Sequence, residues 1–555
     1  MEKIWLKNYP AGVPAEIDMS PGDTLVTMLD DAFREYPDRP AFACMGKQVS
    51  YRELEQQSAD FGAWLQHSAG LQPGARIAIM LPNILQYPVA MFGALRAGMV
   101  VVNVNPLYTA RELEHQLVDS GAEAIVILAN FAHVLEKVIA STAVKTVVVT
   151  EFGDLLGWPR SALVNFVLKR VKKMVQDYSL PGRVRFGQSL AEGAGSSLTR
   201  PELDGESLAF LQYTGGTTGP SKGAMLPHRS VYANVLQMSA LTDTLTEPGD
   251  EIVITALPLY HIYALVVNCM CFVRIGGLNV LIPNPRDVPG FVAELKKWRF
   301  TAFFGVNTLY NALVHDADFP DVDVSALKMA GGGGMAVQSA VATKWFSLTG
   351  RVLLEGYGLT ECSPVVSMAQ LDRTEVFSGD VGLPLPSTEI SIRGEDGQEL
   401  GIGEAGELCV RGPQVMQGYW QRDDATRDTY YQDGFLRTGD IATVDEGGYL
   451  RIVDRAKDMI LVSGFNVYPC EVEDVATQHP GVLEAACIGV PDEKSGEAVK
   501  LFVVAKPDAN LEVEDLLAHC RENLTPYKIP RKVEFRDELP KTNVGKILRR
   551  ALRES

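Results

Sequence analysis

Tyr213-Thr214-Gly215-Gly216-Thr217-Thr218-Gly219-Pro220-Ser221-Lys222-Gly223 follows a strand-like run at Ser207–Gln212. Glycines let backbone N–H groups come close to phosphate oxygens, and the threonine and serine hydroxyls add donors. Lys222 brings a positive charge. A strand opening into such a loop suits a triphosphate or a departing pyrophosphate. It is not the loop GxxxxGK followed by Ser or Thr, because Lys222 follows Ser221 and precedes Gly223. A ligand-free turn rich in Gly, Ser and Thr has the same composition, so the rest of the chain has to decide.

Working outward, short apolar runs alternate with amphipathic stretches. Arg76–Met80, Val100–Val104, Ala124–Leu128 and Thr146–Thr150 read as strands, and Glu53–Leu65 and Arg111–Leu117 as helices. Downstream, Glu251–Ala256, Leu278–Ile282, Thr301–Phe304 and Val352–Glu355 continue the pattern. That alternation predicts βα units and an α/β fold with largely parallel sheets flanked by helices. From about residue 384 the texture turns to short strands broken by Asp396-Gly397 and Gly447-Gly448. From 455 it changes again, to a helix opened by Pro469, strands at Ala485–Val490 and Val499–Val504, and a helix near Val513–Glu522. The expected organisation is a large N-terminal domain at 1–454, with a β-rich subdomain at about 384–454, and a small C-terminal α+β domain at 455–555.

The chain has 555 residues, more than one hydrophobic core normally serves, and 46% of them are hydrophobic. A net charge of −18 argues against nucleic-acid partners, since phosphate neutralisation needs clustered Lys and Arg. The eight cysteines lack CxxC spacing and read as reduced thiols, with no zinc site or redox pair. The first residues carry no apolar signal core, and no apolar run is long enough to span a bilayer, so a cytoplasmic protein is expected. The segment 158–176 stands apart: Leu163, Val164, Val167, Leu168, Val171, Met174 and Val175 share a helical stripe, with Lys169, Arg170, Lys172 and Lys173 off it. Two readings stay open: a helix packed on the core, or a peripheral contact with the inner face of the cell membrane.

Other candidates spread along the chain. Gly331-Gly332-Gly333-Gly334 lies between strand-like stretches. Glu355-Gly356-Tyr357-Gly358-Leu359-Thr360-Glu361 offers a flat ring, a hydroxyl and a hard oxygen ligand, though Glu361 can equally be a surface acid. Asp440, after Thr438-Gly439, suits two ribose hydroxyls or the capping of a turn. Lys546 lies in a basic tail where solvated lysines are the rule, and His261, beside Tyr260, reads as a core or lining histidine.

Together these strings resemble the adenylate-forming superfamily of acyl-CoA synthetases, firefly-type luciferases and peptide-synthetase adenylation domains. The resemblance implies that Tyr213–Gly223 cradles the phosphates of ATP, that Gly332, Gly333 and Tyr357 line the adenine, and that Thr360 meets the α-phosphate. Glu355, Gly356 and Gly358 belong to the same nucleotide-binding motif. It further implies that Asp440 and Arg455 hold the nucleotide, and that Thr217 and Glu361 hold Mg²⁺. Lys546, Glu361, Thr217 and Lys222 would carry the chemistry, with Tyr260, His261 and Gly332 lining the acyl site. Lys457 falls at the family's hinge, about which the C-terminal domain swings after adenylation to admit coenzyme A.

Within the superfamily, 4–17, 83–109 and the signature-like stretch Asp433–Arg455 are similar to bacterial long-chain fatty-acid–CoA ligases. That implies a long-chain fatty acid as substrate, activated as its acyl-adenylate and passed to coenzyme A. Loading of a carrier protein is the alternative. Oligomeric state, a homodimer included, and preferred chain length stay open.

Overall fold

A computed structural model describes residues 2–214, 221–463, 465–492, 495–507, 509–542 and 545–553. Among them, an eight-stranded sheet runs in the order Gly418–Tyr419, Lys222–Pro227, Leu208–Thr214, Val100–Asn103, Arg76–Met80, Ala124–Leu128, Thr146–Thr150 and Val184–Arg185. From Leu208–Thr214 to Val184–Arg185 the strands are parallel, and the Leu208–Thr214/Lys222–Pro227 hairpin and Gly418–Tyr419 are antiparallel. Ala124–Leu128 is buried at every position, as a parallel strand covered on both faces should be.

A second sheet has nine strands among the described residues, and its middle is parallel: Pro40–Cys44, Leu278–Leu281, Ile252–Thr255, Ala302–Gly305, Met329–Gly332 and Leu354–Gly358. Helices join successive strands. Helix Tyr51–His67 starts with a reciprocal cap between Ser50 and Glu53, and Ala110–Ser120 with one between Thr109 and Glu112. Helix Gln86–Arg96 is buried along its whole length, and its polar ends find partners there: Gln86 donates to Thr150 and Glu151, and Arg96 to Glu55 and Ser58.

An antiparallel sheet of Glu389–Arg393, Gly406–Arg411, Leu436–Val444 and Leu450–Arg455 follows. Beyond it, Phe465–Val467, Ile460–Val462, Gly496–Ala505 and Val482–Asp492 form a further sheet, with Lys532–Phe535 parallel to Gly496–Ala505 and helices Pro469–Gln478 and Val513–Asn523 alongside.

The helix expected across 158–176 is shorter than its stripe. It runs as Arg160–Phe166, continues as a π-turn at Val167–Val171, and stops there. Val164 packs against the core, but Trp158, Leu163, Phe166, Val171 and Met174 stay exposed, so packing on the core accounts for only part of the stripe. No helix among the described residues is long and apolar enough to cross a membrane.

Candidate functional site

The carboxyl ends of parallel strands are where open α/β sheets bind ligands. Here Ala302–Gly305, Met329–Gly332 and Leu354–Gly358 end side by side and carry the glycine run and the Tyr357 motif. Gly333 N donates to the Gly305 carbonyl at 3.2 Å. A Cβ on Gly333 would meet the Tyr263 ring and the Gly356 carbonyl at 3.3 Å, so the surface is as close to bare backbone as a chain permits. Gly334 turns away with φ +77°, and a Cβ there would sit 3.2 Å from Lys546 Cε.

Lys546 therefore reaches this mouth from the far end of the sequence. Its segment is docked by the Thr308 hydroxyl, which donates to the Gly545 carbonyl at 2.9 Å, while Asn311 donates to the carbonyl of Leu483, in strand Val482–Asp492, at 3.2 Å. Asp474 accepts from Ser339 N and Oγ at 3.2 and 3.1 Å. Gly545 has φ +85°, and a Cβ would lie 2.7 Å from Thr308 Oγ1, so the contact needs glycine on both counts. Burial and the Arg455 guanidinium bring the Lys546 ammonium down to about 8, with Asp440 pulling the other way. Burial and the Lys546 charge bring His261 down to about 3, so it is neutral, and its Nδ1 accepts from Tyr263 N at 3.3 Å.

Asp440 lies inside strand Leu436–Val444, in register with Arg455 across the ladder; the expected Gly turn is a positive-φ residue, Gly439, within that strand. Asp440 Oδ2 accepts from the Tyr357 hydroxyl at 2.6 Å, and Oδ1 lies 3.4 Å from Arg455 Nε. Burial raises its pKa, and Arg455, Tyr357, Lys457 and Lys546 pull it back. A carboxylate has about four acceptor sites, so capacity for a diol remains. Lys457 sits just past Arg455, its pKa lowered by burial and by Arg455. Glu355 faces inward, where Oε2 accepts from Val337 N at 3.3 Å and burial pushes its carboxyl up to about 8. Gly332 is equally enclosed, since a Cβ would fall 2.5 Å from Val337.

Glu361 follows Thr360 in a short 3₁₀ turn, Thr360–Cys362. Its Oε1 accepts from the Tyr419 hydroxyl at 2.7 Å, and Lys222 Nζ stands 4.3 Å from the Tyr419 ring centroid. An acid and a lysine thus flank one aromatic ring. Cys362 beside Glu361 is wholly buried, and its thiol pKa lies well above the ordinary value. Tyr213 and Gly223 face each other at the base of the hairpin, as do Thr214 and Lys222. Gly215, Gly216, Thr217, Thr218, Gly219 and Pro220 lie outside the described residues. Tyr260 joins the hairpin through its carbonyl, which accepts from Gln212 at 2.8 Å.

The structure thus brings Lys546, His261, Gly333, Gly334, Tyr357, Asp440 and Arg455 to one mouth, with Glu361 and Lys222 together at Tyr419. Tyr419, Tyr263 and Thr308 escape sequence reasoning. Tyr419 lies in an aromatic stretch, but nothing local announces its bond to an acid 58 residues away.

The chain matches the AMP-binding enzyme model over residues 29–420 and the AMP-binding enzyme C-terminal domain over 471–546. The long-chain-fatty-acid–CoA ligase of Escherichia coli O157:H7 is 58% identical over 554 residues, covering 100% of this chain and 98% of that protein. The protein of that name from Bacillus subtilis strain 168 is 38% identical over 556 residues, with coverage of 100% and 98%. Among solved structures, a benzoate CoA ligase from Burkholderia xenovorans LB400 superposes with a TM-score of 0.82 at 25% identity, covering 96% of this chain and 100% of its own. ATP-bound MatB from Rhodopseudomonas palustris gives 0.79 at 28%, with coverage of 95% and 98%. The chain belongs to the AMP-binding, adenylate-forming enzyme family, within its group of long-chain fatty-acid–CoA ligases.

Proposed function

We propose that the protein joins a long-chain fatty acid to coenzyme A at the expense of ATP. The fatty carboxylate attacks the α-phosphorus, pyrophosphate leaves, and the acyl-adenylate then gives its acyl group to the thiol, releasing AMP. The observation that carries this reading is Lys546, delivered by the C-terminal segment to the glycine-lined mouth beside Asp440 and Arg455. An ammonium there offsets charge that builds between carboxylate and α-phosphate. Lys222 and the hairpin loop would take the β- and γ-phosphates, and Asp440 with Arg455 the ribose.

Mg²⁺ fits the same arrangement. It is typically held by one or two carboxylates plus substrate phosphates, and it neutralises charge on them. Glu361, steadied by Tyr419 beside Lys222, offers such a carboxylate. The domain from 455 onward would act as the moving lid, hinged near Lys457, that withdraws Lys546 before the thiol enters.

The exposed stripe Trp158, Leu163, Phe166, Val171 and Met174, next to Arg160, Lys169, Arg170, Lys172 and Lys173, supports peripheral contact with an anionic bilayer on the cytoplasmic side. Sedimentation with anionic but not zwitterionic vesicles, lost in a Trp158→Ser, Phe166→Ser variant, tests that part.

Pyrophosphate release across acids from acetate to oleate, with and without coenzyme A, tests the whole. Sustained turnover with long-chain acids only when coenzyme A is present is expected. Turnover that needs a phosphopantetheinylated carrier protein instead would move the assignment to carrier loading.

A further inference from the structure

Helix Ala110–Ser120 belongs to an early βα unit and carries no residue of the site described above. His115 and Asp119 stand four apart on it, hence on one face. That face meets both flanks of the phosphate hairpin. Asp119 Oδ2 accepts from the Tyr213 hydroxyl at 2.6 Å, just before the loop. His115 Nε2 lies 2.9 Å from the Ser221 carbonyl oxygen, just after it. A carbonyl only accepts, so Nε2 carries the proton.

Further bonds fix the helix and tie it to neighbouring parts of the site. The Asp119 carbonyl accepts from Trp420 Nε1 at 3.2 Å, and Trp420 N donates to the Gly223 carbonyl at 2.8 Å. Trp420 adjoins Tyr419, which holds Glu361. Buried Gln116 donates to the Asn103 carbonyl at 2.8 Å, which pins the helix to the strand beside Leu208–Thr214. The Thr109–Glu112 cap closes the first turn of the helix, and buried Leu113 and Leu117 pack it on the sheet, independently of His115 and Asp119.

We infer that His115 and Asp119 are positioning residues for ATP, the two jaws of a clamp that fixes where the phosphate hairpin begins and ends. A site made of backbone donors works only if it is held in place before the ligand arrives. The ladder pair Thr214–Lys222 holds the hairpin from within, and the helix holds it from outside. The inference rests on the nucleotide role proposed above.

The test is fatty-acid-dependent ATP–pyrophosphate exchange by the full chain and its variants. Losing one hydrogen bond to the Ser221 carbonyl should raise KM for ATP about fivefold in His115→Ala. KM for the fatty acid should stay put. His115→Gln keeps an N–H donor of similar reach and should return KM for ATP to within about twofold of wild type. Asp119→Ala should raise KM for ATP in the same sense, and Asp119→Asn, which keeps an acceptor, should raise it less. A His115→Ala enzyme with wild-type KM for ATP would overturn the inference and leave the ligase reading intact. So would equal rises for both substrates, which would mark a merely structural role. Wild-type enzyme with no fatty-acid-dependent exchange would overturn the ligase reading itself.

Discussion

Titrating the enzyme from about pH 7 to about pH 10 should strip Lys546 of its charge inside that range, because desolvation and a neighbouring cation both oppose an ammonium. Its pKa in the docked arrangement lies at about 8 against an ordinary 10.5. That drop amounts to roughly 3 kcal/mol against docking the charged form. Below about 8 the docked lysine keeps its proton, at that cost; as pH climbs from there toward the ordinary value the proton is lost and docking becomes easier. On the role proposed for Lys546, adenylation needs the charge, so docking and chemistry should respond to pH in opposite directions. At about pH 9 roughly one docked lysine in ten remains protonated, and kcat/KM for ATP should fall about tenfold per pH unit above the midpoint. Bound triphosphate stabilises the ammonium, so the limb in kcat should lie at higher pH than the limb in kcat/KM. The assay is ATP–pyrophosphate exchange at saturating fatty acid, with Lys546→Arg alongside. A guanidinium stays charged throughout, so that variant should lose the limb whatever its absolute rate. A limb near pH 10 in kcat/KM would show that Lys546 is undocked before ATP binds. An unchanged limb in Lys546→Arg would show that another group titrates.

Replacing Lys546 by Ala should slow acyl-adenylate formation by about 10²–10³-fold, while transfer from preformed acyl-adenylate to coenzyme A survives; timing the two half-reactions separately checks this. Gly545→Ala meets both a left-handed backbone and the Thr308 hydroxyl, and should cost docking about 1–3 kcal/mol. Pyrophosphate exchange should drop accordingly, with the melting temperature of the large domain unchanged. Glu361→Gln should raise the Mg²⁺ concentration needed for half-maximal exchange by roughly tenfold, and an Mg²⁺ requirement equal to that of the wild type in that variant would remove Glu361 from the metal's ligands.

Most of the parallel strands were legible nearly to the residue, but the last, read as Val352–Glu355, runs Leu354–Gly358. Ala124–Leu128 and Thr146–Thr150 fall where apolar runs placed them, because the interior of a strand buried on both faces holds an unbroken run of apolar side chains. The motif strings were legible too, since each is contiguous. What joins them was not. The Tyr419–Glu361, Tyr213–Asp119 and Thr308–Gly545 bonds span 58, 94 and 237 residues, and no local periodicity encodes such contacts. Asp440 misled by its neighbours: Thr-Gly-Asp has turn chemistry, yet cross-strand pairing with Arg455 draws it into a ladder. The stripe at 158–176 misled through its length, because periodicity predicts a face but not where hydrogen bonding stops.

The burial of Cys362 bears on self-damage. A mixed anhydride of fatty acid and AMP acylates any sulfur anion it can reach, and a thiol reacts only after losing its proton. Cys362, adjacent to Glu361, is held protonated and sealed from solvent, as are Cys269 and Cys271. An enzyme that makes an acylating agent in its own interior thus keeps the sulfur beside Glu361 inert, and the acyl group waits for a sulfur that comes from outside.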